Sequence, residues 1–393
     1  MNTLLYVTLA LPIVIGVYAY VGYPLLLAAL VKVRRSRPQA PGFQEWPSLT
    51  ITVPCYNEAK NIRQTLERLL ALDYPADRRQ IVVISDASTD GTDDIVREFS
   101  DRGVELVRLE TRRGKSAAEN AAGAVLRGEI VVNTDATIEI LPNALKALVS
   151  AFSDPTVGVA SGRDVSVDRT AQKAQTASSA TASGESGYVG YEMKIRSLET
   201  QVESIVGASG CFYGIRTSLY DSGFPESLSR DFASALMARE GGYRAVSVEE
   251  AVCLVPRTSS LQAEFRRKIR TMARGLQTLW FKRHLMNPFR YGLFAWMLFS
   301  HKLCRWLVYP AFILAAIALI VLATTSPIWL GLFTLALAGV IVGWVGMRWP
   351  HDRPKPALLN LAGFAFASNL AGILAWLQVA QNKRAAVWEP TRR

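Results

Sequence analysis

The chain has 393 residues, half of them apolar, and a formal net charge of +11. That length admits one large domain with added elements, or two domains. The basic balance would suit nucleic acid, but no nucleic-acid motif accompanies it and the apolar residues are gathered into long runs, which argues against that class.

Residues 4–31 form a nearly uncharged run, and so do 303–323, 327–347 and 357–380. Each is long enough to cross a hydrocarbon core of about 30 Å. The first lacks a basic n-region, is too long for a signal peptide, and is followed by Lys32, Arg34, Arg35 and Arg37, a stop-transfer flank. The positive-inside rule then puts residues 32–290 in the cytoplasm of a multi-pass protein of the inner membrane. Three further spans would leave Lys383-Arg384 and Arg392-Arg393 outside, against the same rule. Either the last run, which contains Asn360 and Asn369, does not cross fully, or the rule is broken. The spans carry no obvious buried ionisable residues or paired repeats, which argues against a transporter. Cys55, Cys211, Cys253 and Cys304 have no paired spacing, as in a reducing compartment, and give no zinc or redox motif. His284, His301 and His351 form no cluster and read as interfacial or surface residues.

Between the first two spans, a Pro-rich linker (38–47) leads to Leu49-Thr-Ile-Thr-Val53, an alternating β-branched strand. Pro54-Cys-Tyr-Asn57-Glu58 ends it, and Ile62, Leu66, Leu69 and Leu70 follow at helical spacing. Gln80–Ser85 is a second strand, closed by Asp86-Ala-Ser-Thr-Asp90-Gly-Thr92, and a helix runs from about Asp93 to Phe99. Asp90 and Asp93 read as turn or cap residues. Glu105–Arg108 is a third strand, Gly114-Lys115 opens an Ala-rich helix, and Ile130–Val132 is a fourth strand that ends in Asn-Thr134-Asp135-Ala-Thr137. Strands alternating with helices predict an α/β fold with a mostly parallel sheet covered on both faces. Ligands of such sheets sit outside the carboxyl ends of the strands. Asn57-Glu58, Asp86 and Asp135 should therefore share one rim. Asp86, Lys115 and Asp135 supply what a nucleoside diphosphate needs: a hydrogen-bonding carboxylate, a cation and a metal site.

Ser161–Gly187 is rich in Ser, Ala, Thr and Gly and reads as a mobile loop. Tyr191–Ser204 is helical by the spacing of Ile195, Leu198 and Val202, and Gly207-Ala-Ser-Gly210-Cys211 gathers small residues where a ligand or another backbone comes close. Ser229-Arg230-Asp231 opens a helix through Glu240; Asp231 is either its cap or a general base at a helix N-terminus. Residues 263–286 interleave Arg266, Arg267, Lys268, Arg270 and Arg274 with Phe265, Ile269, Met272, Leu276, Leu279 and Trp280, a basic amphipathic helix suited to a membrane interface.

In that order, Val53-Pro-Cys-Tyr-Asn-Glu58, Ser85–Thr92, Arg113-Gly-Lys115, Thr134-Asp135-Ala, Gly207-Ala-Ser-Gly210, Arg230-Asp231 and, near the end, Val387-Trp-Glu-Pro-Thr-Arg392 resemble the membrane-embedded, inverting family 2 glycosyltransferases, the branch of the cellulose, chitin-oligosaccharide, poly-N-acetylglucosamine and hyaluronan synthases. The resemblance implies a GT-A fold, a UDP-sugar donor, Mg²⁺ or Mn²⁺, and a glycan or polyprenyl-linked acceptor, with other polysaccharide-synthesis subunits as further partners. It implies that Pro54, Tyr56, Asn57, Glu58, Asp86, Lys115 and Thr134 bind the donor with Asp135, Arg270 and Arg274. Asp135 and Thr137 would hold the metal, and Asp231 would deprotonate the acceptor. Gly207, Ser209, Gly210, Cys211 and Trp280 would line the acceptor side. The implied division is a first span (1–31), a cytosolic GT-A domain (32–262), basic interface helices (263–300) and a transmembrane region with its tail (301–393). Three positions depart from the family pattern. Thr137 stands where the second Asp of Asp-x-Asp is usual, and Arg230 where a Glu is usual. Lys268-Ile-Arg-Thr-Met272 takes the place of Gln-x-x-Arg-Trp, which weighs against long-chain synthesis. The first and third of these departures motivate a reading of another class, a catalytically inactive scaffold or partner of a synthase.

Overall fold

The structure, a computed structural model, describes residues 2–34, 41–167, 180–256, 261–350 and 355–381. The chain enters through helices α1 (Asn2–Val17) and α2 (Tyr23–Val33), joined by a π-helical turn at Tyr18–Gly22. It then alternates through β1 (Leu49–Cys55), α3 (Ile62–Leu70), β2 (Arg79–Ser85), α4 (Thr92–Arg97), β3 (Val104–Arg108), α5 (Lys115–Ala122) and β4 (Ile130–Thr134). The apolar alternation sorts the side chains of these strands. Ile51, Val53, Val83 and Val132 face α3 and α4, whereas Val82 and Ile84 face Ala118 and Ala122 of α5. Each of the larger buried side chains contributes about 1.5–3 kcal/mol.

Beyond β4 come β5 (Glu139–Ile140), α6 (Ala144–Ser150), β6 (Val157–Val167), α7 (Ala180–Val202), β7 (Phe212–Arg216), α8 (Arg230–Glu240) and β8 (Arg244–Pro256). The eight strands form one mixed sheet in the order β3-β2-β1-β4-β7-β6-β8-β5. The first four of that order are parallel, and β7 runs antiparallel to β4 with Phe212 opposite Thr134. This pairing positions the site: the carboxyl ends of β1, β2 and β4 and the start of β7 share one edge.

The expected loop at Ser161–Gly187 is overturned where it is described. Residues 161–167 belong to β6, paired with β8 and, at Ser161, with β7 as well, and 180–187 belong to α7. Small residues suit β6 because its face lies against neighbouring strands and helices, so the composition reported close packing.

Helix α9 (Leu261–Phe281) buries Met272, Ala273 and Leu276 against Ala375. Then α10 (Pro288–Leu298), kinked at Gly292 (φ 53°), runs on through a π-helical turn (Phe299–Cys304) into α11 (Arg305–Ala323), so the expected division at residue 300 falls inside a helical stretch. Helices α12 (Pro327–Arg348) and α13 (Ala357–Ala380) complete the described chain. Among the described residues four segments are long and apolar enough to cross a membrane: Thr3–Val33, Pro288–Ala323, Pro327–Arg348 and Ala357–Ala380. Their exposed Leu, Ile and Val side chains suit a lipid-facing surface. The terminal motif Val387–Arg392 and the basic tail lie outside the described residues, as does His351.

One buried cluster ties the domain to these helices: Tyr23 and Leu27 of α2, Ile195 and Val202 of α7, Phe232 and Leu236 of α8, and Phe294, Met297 and Leu298 of α10. The segment carrying Asp231 therefore shares a core with the spans.

Candidate active site

The loops after β1 and β2 are stitched together by side chains. Asn57 adopts φ 53°, a left-handed conformation that Asn tolerates. Its Oδ1 accepts from Thr89 N (2.8 Å), and its own N–H donates to Ser88 Oγ (3.1 Å). The Glu58 N–H donates to Thr92 Oγ1 (2.8 Å), and Asp90 accepts from the backbones of Ala59 (3.0 Å) and Thr92 (3.1 Å). Burial would raise the Asp90 carboxyl, but these hydrogen bonds hold it below the usual carboxylate range. Asp90 is thus a turn residue, as its position predicts, while Asp93 pairs with Arg108 across to β3. Pro54 is buried within β1, and the Arg112 guanidinium lies 4.0 Å over the Tyr56 ring. Asp86 accepts from Arg113 N (2.7 Å) through Oδ1 and from Gly114 N (2.8 Å) through Oδ2. It therefore shapes the loop that delivers Lys115.

Lys115 joins the two halves of the rim. Its ammonium donates to Asp135 Oδ1 (2.6 Å) at the end of β4 and to the Gly210 carbonyl (2.9 Å) before β7. Burial works against its charge, yet Asp135 and Glu119 outweigh burial and raise it above the ordinary lysine range. Next to Asp135, the buried Thr134 Oγ1 has no hydrogen-bond partner, and Thr137 is half-buried. Among the described residues no group of three or more His, Cys, Asp or Glu side chains could hold a metal. The protein alone thus offers one carboxylate and an orphaned hydroxyl. That set fits a divalent ion whose remaining ligands are substrate phosphates and water, the usual situation for Mg²⁺.

Asp231 opens α8 on the far side of Gly210. Its Oδ1 accepts from Ser229 Oγ, and its Oδ2 would lie 2.9 Å from a Cβ placed on Gly210. Only glycine lets the carboxylate and this backbone come so close. Asp231 O meets the N–H of Ala208 (3.4 Å), so the 207–210 segment and the start of α8 are mutually positioned. Ser209 braces that segment: its N–H donates to Ser161 Oγ (2.8 Å) and its hydroxyl to Asp164 (2.6 Å), while it accepts from the N–H groups of Cys211 (3.0 Å) and Phe212 (3.1 Å).

Arg230, the departure from the family pattern, is buried with Glu119 (3.6 Å). It lies between Tyr220 (4.8 Å) and Phe224 (5.1 Å) and donates to Asn120 and to the Asp221 carbonyl. Burial raises the Glu119 carboxyl, opposed by Lys115 and Arg230. From α9, Arg274 reaches Ser116 Oγ (2.7 Å) and the carbonyls of Glu226 (2.9 Å) and Leu228 (2.5 Å). Burial lowers its pKa, opposed by Asp231 and Glu119.

The structure therefore brings Asp86, Lys115, Asp135, Gly207–Cys211, Asp231 and Arg274 together. Arg270 is half-buried about one turn from Arg274. Trp280 is 69 % exposed under the Arg283 guanidinium (4.9 Å). Among the described residues no hydrogen bond or ring contact joins it to 207–211. Sequence reasoning missed Glu119, Asp164 and Ser161. Glu119 had a signal, because it lies one helical turn after Lys115.

A parallel half-sheet that presents carboxylates and a lysine at one rim, continued by antiparallel β7, is the GT-A arrangement of nucleotide-sugar transferases. Residues 50–224 match the family model "Glycosyl transferase family 2", and the chain carries a glycosyltransferase domain of that family. The matched segment stops short of Asp231. Over 98 residues the chain is 38 % identical to "Probable glycosyltransferase YdaM" of Bacillus subtilis, covering 24 % of this chain and 23 % of that protein. It is 26 % identical over 221 residues to "Poly-beta-1,6-N-acetyl-D-glucosamine synthase" of Staphylococcus epidermidis, covering 55 % of this chain and 52 % of the relative. The matched stretches thus span about a quarter and about half of those relatives. Among solved structures, the mannosyltransferase PcManGT from Pyrobaculum calidifontis, in complex with GDP-Man and Mn²⁺, superposes with a TM-score of 0.69 at 24 % identity, over 96 % of this chain and 99 % of that one. This likeness shows the fold.

Proposed function

We propose that the protein is an inverting glycosyltransferase that moves a sugar from a UDP-sugar to a glycan or lipid-linked acceptor, at the cytoplasmic face of the membrane, in surface polysaccharide synthesis. The observation that carries this reading is the contact chain Asp135–Lys115–Gly210–Asp231, which puts a cation and a lone carboxylate on one side of the Gly207–Gly210 segment and a candidate base on the other.

In this reading Asp231 takes the proton of the acceptor hydroxyl. The hydroxyl oxygen bonds to the anomeric carbon as the bond from that carbon to the diphosphate oxygen breaks, which inverts the centre. The start of α8 stabilises the carboxylate until it receives the proton, and Ser229 orients it. Lys115 is available to trade its Asp135 contact for a phosphate oxygen and to offset charge on the leaving diphosphate. A divalent ion at Asp135, with Thr134 and Thr137 beside it, would supply further neutralisation of that charge. The neighbour of this fold that holds GDP-Man with Mn²⁺ supports such an ion and makes GDP-mannose the donor to test beside the UDP-sugars.

The test is a donor screen. Purified full-length protein in detergent, with Mn²⁺ or Mg²⁺ and a membrane lipid extract, is offered common UDP-sugars and GDP-mannose while free nucleoside diphosphate is followed. Release with one donor, lost in Asp231→Asn, is the expected result. Nucleotide binding with no release from any donor would favour the inactive-scaffold reading, which the departures at Thr137 and at Lys268–Met272 motivate.

A further inference from the structure

Segment 206–212, which carries Gly210 against Asp231, is fixed at both ends. Phe212 enters β7 opposite Thr134. At the other end the Val206 N–H donates to Glu199 Oε2 (3.3 Å), and the spans hold Glu199 in turn: Tyr23 OH donates to its Oε1 (2.6 Å), and His301 Nδ1 meets the same oxygen (2.6 Å). His301 Nε2 meets Glu192 Oε2 (3.0 Å), and Glu192 also pairs with Arg305. Burial opposes both negative charges, but His301 leads the partners that hold both carboxyls below the usual range. His301 is therefore a buried partner of two acids, against its expected interfacial or surface place, and the span Pro288–Ala323 does contain buried ionisable residues.

Between those ends Gly207, Ala208 and Gly210 offer no polar side chain, and the two glycines leave the backbone free to move. Ser209 is the handle. A serine hydroxyl has one hydrogen to give and two lone pairs. Here the hydrogen goes to Asp164 Oδ1 (2.6 Å), and the lone pairs accept from the N–H groups of Cys211 (3.0 Å) and Phe212 (3.1 Å). Ser209 is fully buried, and its hydroxyl has no bonding capacity left for a sugar. The bond to Asp164 has the length of a charge-assisted one, about twice as strong as a neutral one.

Asp164 stands on β6 in register with Cys253 of β8, whose Sγ also donates to Oδ1 (3.3 Å). Burial raises the Asp164 carboxyl, opposed by the charge of Arg196 and by the bonds from Ser209 and Cys253. Arg196 of α7 donates to the Ala208 carbonyl (3.3 Å) and to Ser161 Oγ (3.4 Å), and that hydroxyl accepts from the Ser209 N–H (2.8 Å). An acid from β6 and a cation from α7 thus balance each other while gripping adjacent residues of the segment. The next residue, Gly210, touches Lys115 through its carbonyl and lies against the Asp231 carboxylate.

We propose that Asp164 is a positioning residue for the transfer: acting through Ser209, it fixes Gly210 between Lys115 and Asp231 and so sets the spacing of those two side chains. Ser209 is then its relay, not a contact of the acceptor. This rests on the transferase reading, which supplies the roles of Lys115 and Asp231.

The test uses full-length protein in detergent and four variants: Asp164→Leu, close in shape but without an acceptor oxygen; Asp164→Asn, which keeps one; Ser209→Ala; and Asp164→Leu combined with Ser209→Ala. Asp164→Leu and Ser209→Ala should each lower kcat about tenfold, with nucleotide affinity in Mn²⁺ unchanged. Asp164→Asn should stay within about threefold of wild type, and the double variant should be no slower than either single one, because both remove the same contact. Hydrogen exchange read by mass spectrometry follows the segment itself. Asp164→Leu should speed exchange over residues 206–212 about tenfold and leave β1 and β2 as in wild type. Unchanged exchange over 206–212 would overturn the inference, and so would exchange that rises equally in β1 and β2, which would assign Asp164 to the fold at large. Losses that multiply in the double variant, or Asp164→Asn as slow as Asp164→Leu, would also overturn it, by making Asp164 a direct contact of substrate or metal. No release by wild type from any donor would instead count against the transferase reading, and the exchange result stands without it.

Discussion

Gly210→Ala separates activity from stability. A Cβ at Gly210 would stand 2.9 Å from Asp231 Oδ2, whereas ordinary contacts begin at 3.4 Å. The carboxylate must therefore retreat by about half an ångström, and the Ser229 hydrogen bond limits where it can go. A misplacement of about 1 Å costs on the order of 100-fold in rate, so a retreat of half that should lower kcat roughly tenfold. Folding should not suffer. Gly210 does not adopt a left-handed φ, so alanine is compatible with its backbone, and it restricts the unfolded chain by about 0.4–1 kcal/mol. The assay is sugar transfer at saturating donor, with nucleotide affinity and thermal unfolding measured on the same preparations. A kcat within twofold of wild type would refute the placement of Asp231 against Gly210. A drop in kcat matched by a drop in unfolding temperature would assign the effect to packing.

Three other outcomes follow from the geometry. Arg230→Met leaves Glu119 buried without its guanidinium and should destabilise by about 3 kcal/mol; adding Glu119→Gln should restore part of the loss of unfolding temperature. Asp135→Ala should remove the gain in nucleotide affinity that Mn²⁺ confers, about tenfold or more, and titrations with and without Mn²⁺ read this directly. Glu192 and Glu199 face His301, Arg305, Lys302 and Tyr23, which hold both carboxyls below their ordinary values in the folded state. Their contribution to stability is thus complete above about pH 4.3, the unfolded value, and is lost as pH falls through the lower folded values. Unfolding temperature should fall below about pH 4 in wild type and fall less in Glu199→Gln.

The first half of the domain was legible because β1, β2 and β4 are short apolar runs that end in Asn57, Asp86 and Asp135, a pattern that parallel topology places on one rim. The spans and α9 were legible from length and from basic–apolar interleaving. The second half of the sheet was not. β6 interrupts its valines with Ser161-Gly-Arg-Asp164, which resembles a loop in one dimension, and β7 follows directly on a glycine-rich segment. Asp86 also carries a contact that spacing alone does not reveal: its two oxygens accept from the N–H groups of Arg113 and Gly114 in a neighbouring loop. The His301 cluster joins α7 to a π-helical turn more than a hundred residues away. The core shared by Ile195 and Val202 of α7, Phe232 and Leu236 of α8 and Phe294, Met297 and Leu298 of α10 brings those segments together.

The central claim is that Asp231 is the base of a sugar transfer. The measurement that tests it most directly compares Asp231→Asn with wild type in two assays on full-length protein: nucleotide binding by titration, and transfer of the donor identified in the screen. Transfer reduced at least about 100-fold, with nucleotide affinity and unfolding temperature unchanged, is the predicted result. Transfer retained in Asp231→Asn, or transfer and nucleotide affinity falling together, would contradict it and leave Asp231 a structural residue in the first turn of α8, whose N-cap position is Ser229 rather than the expected Asp231.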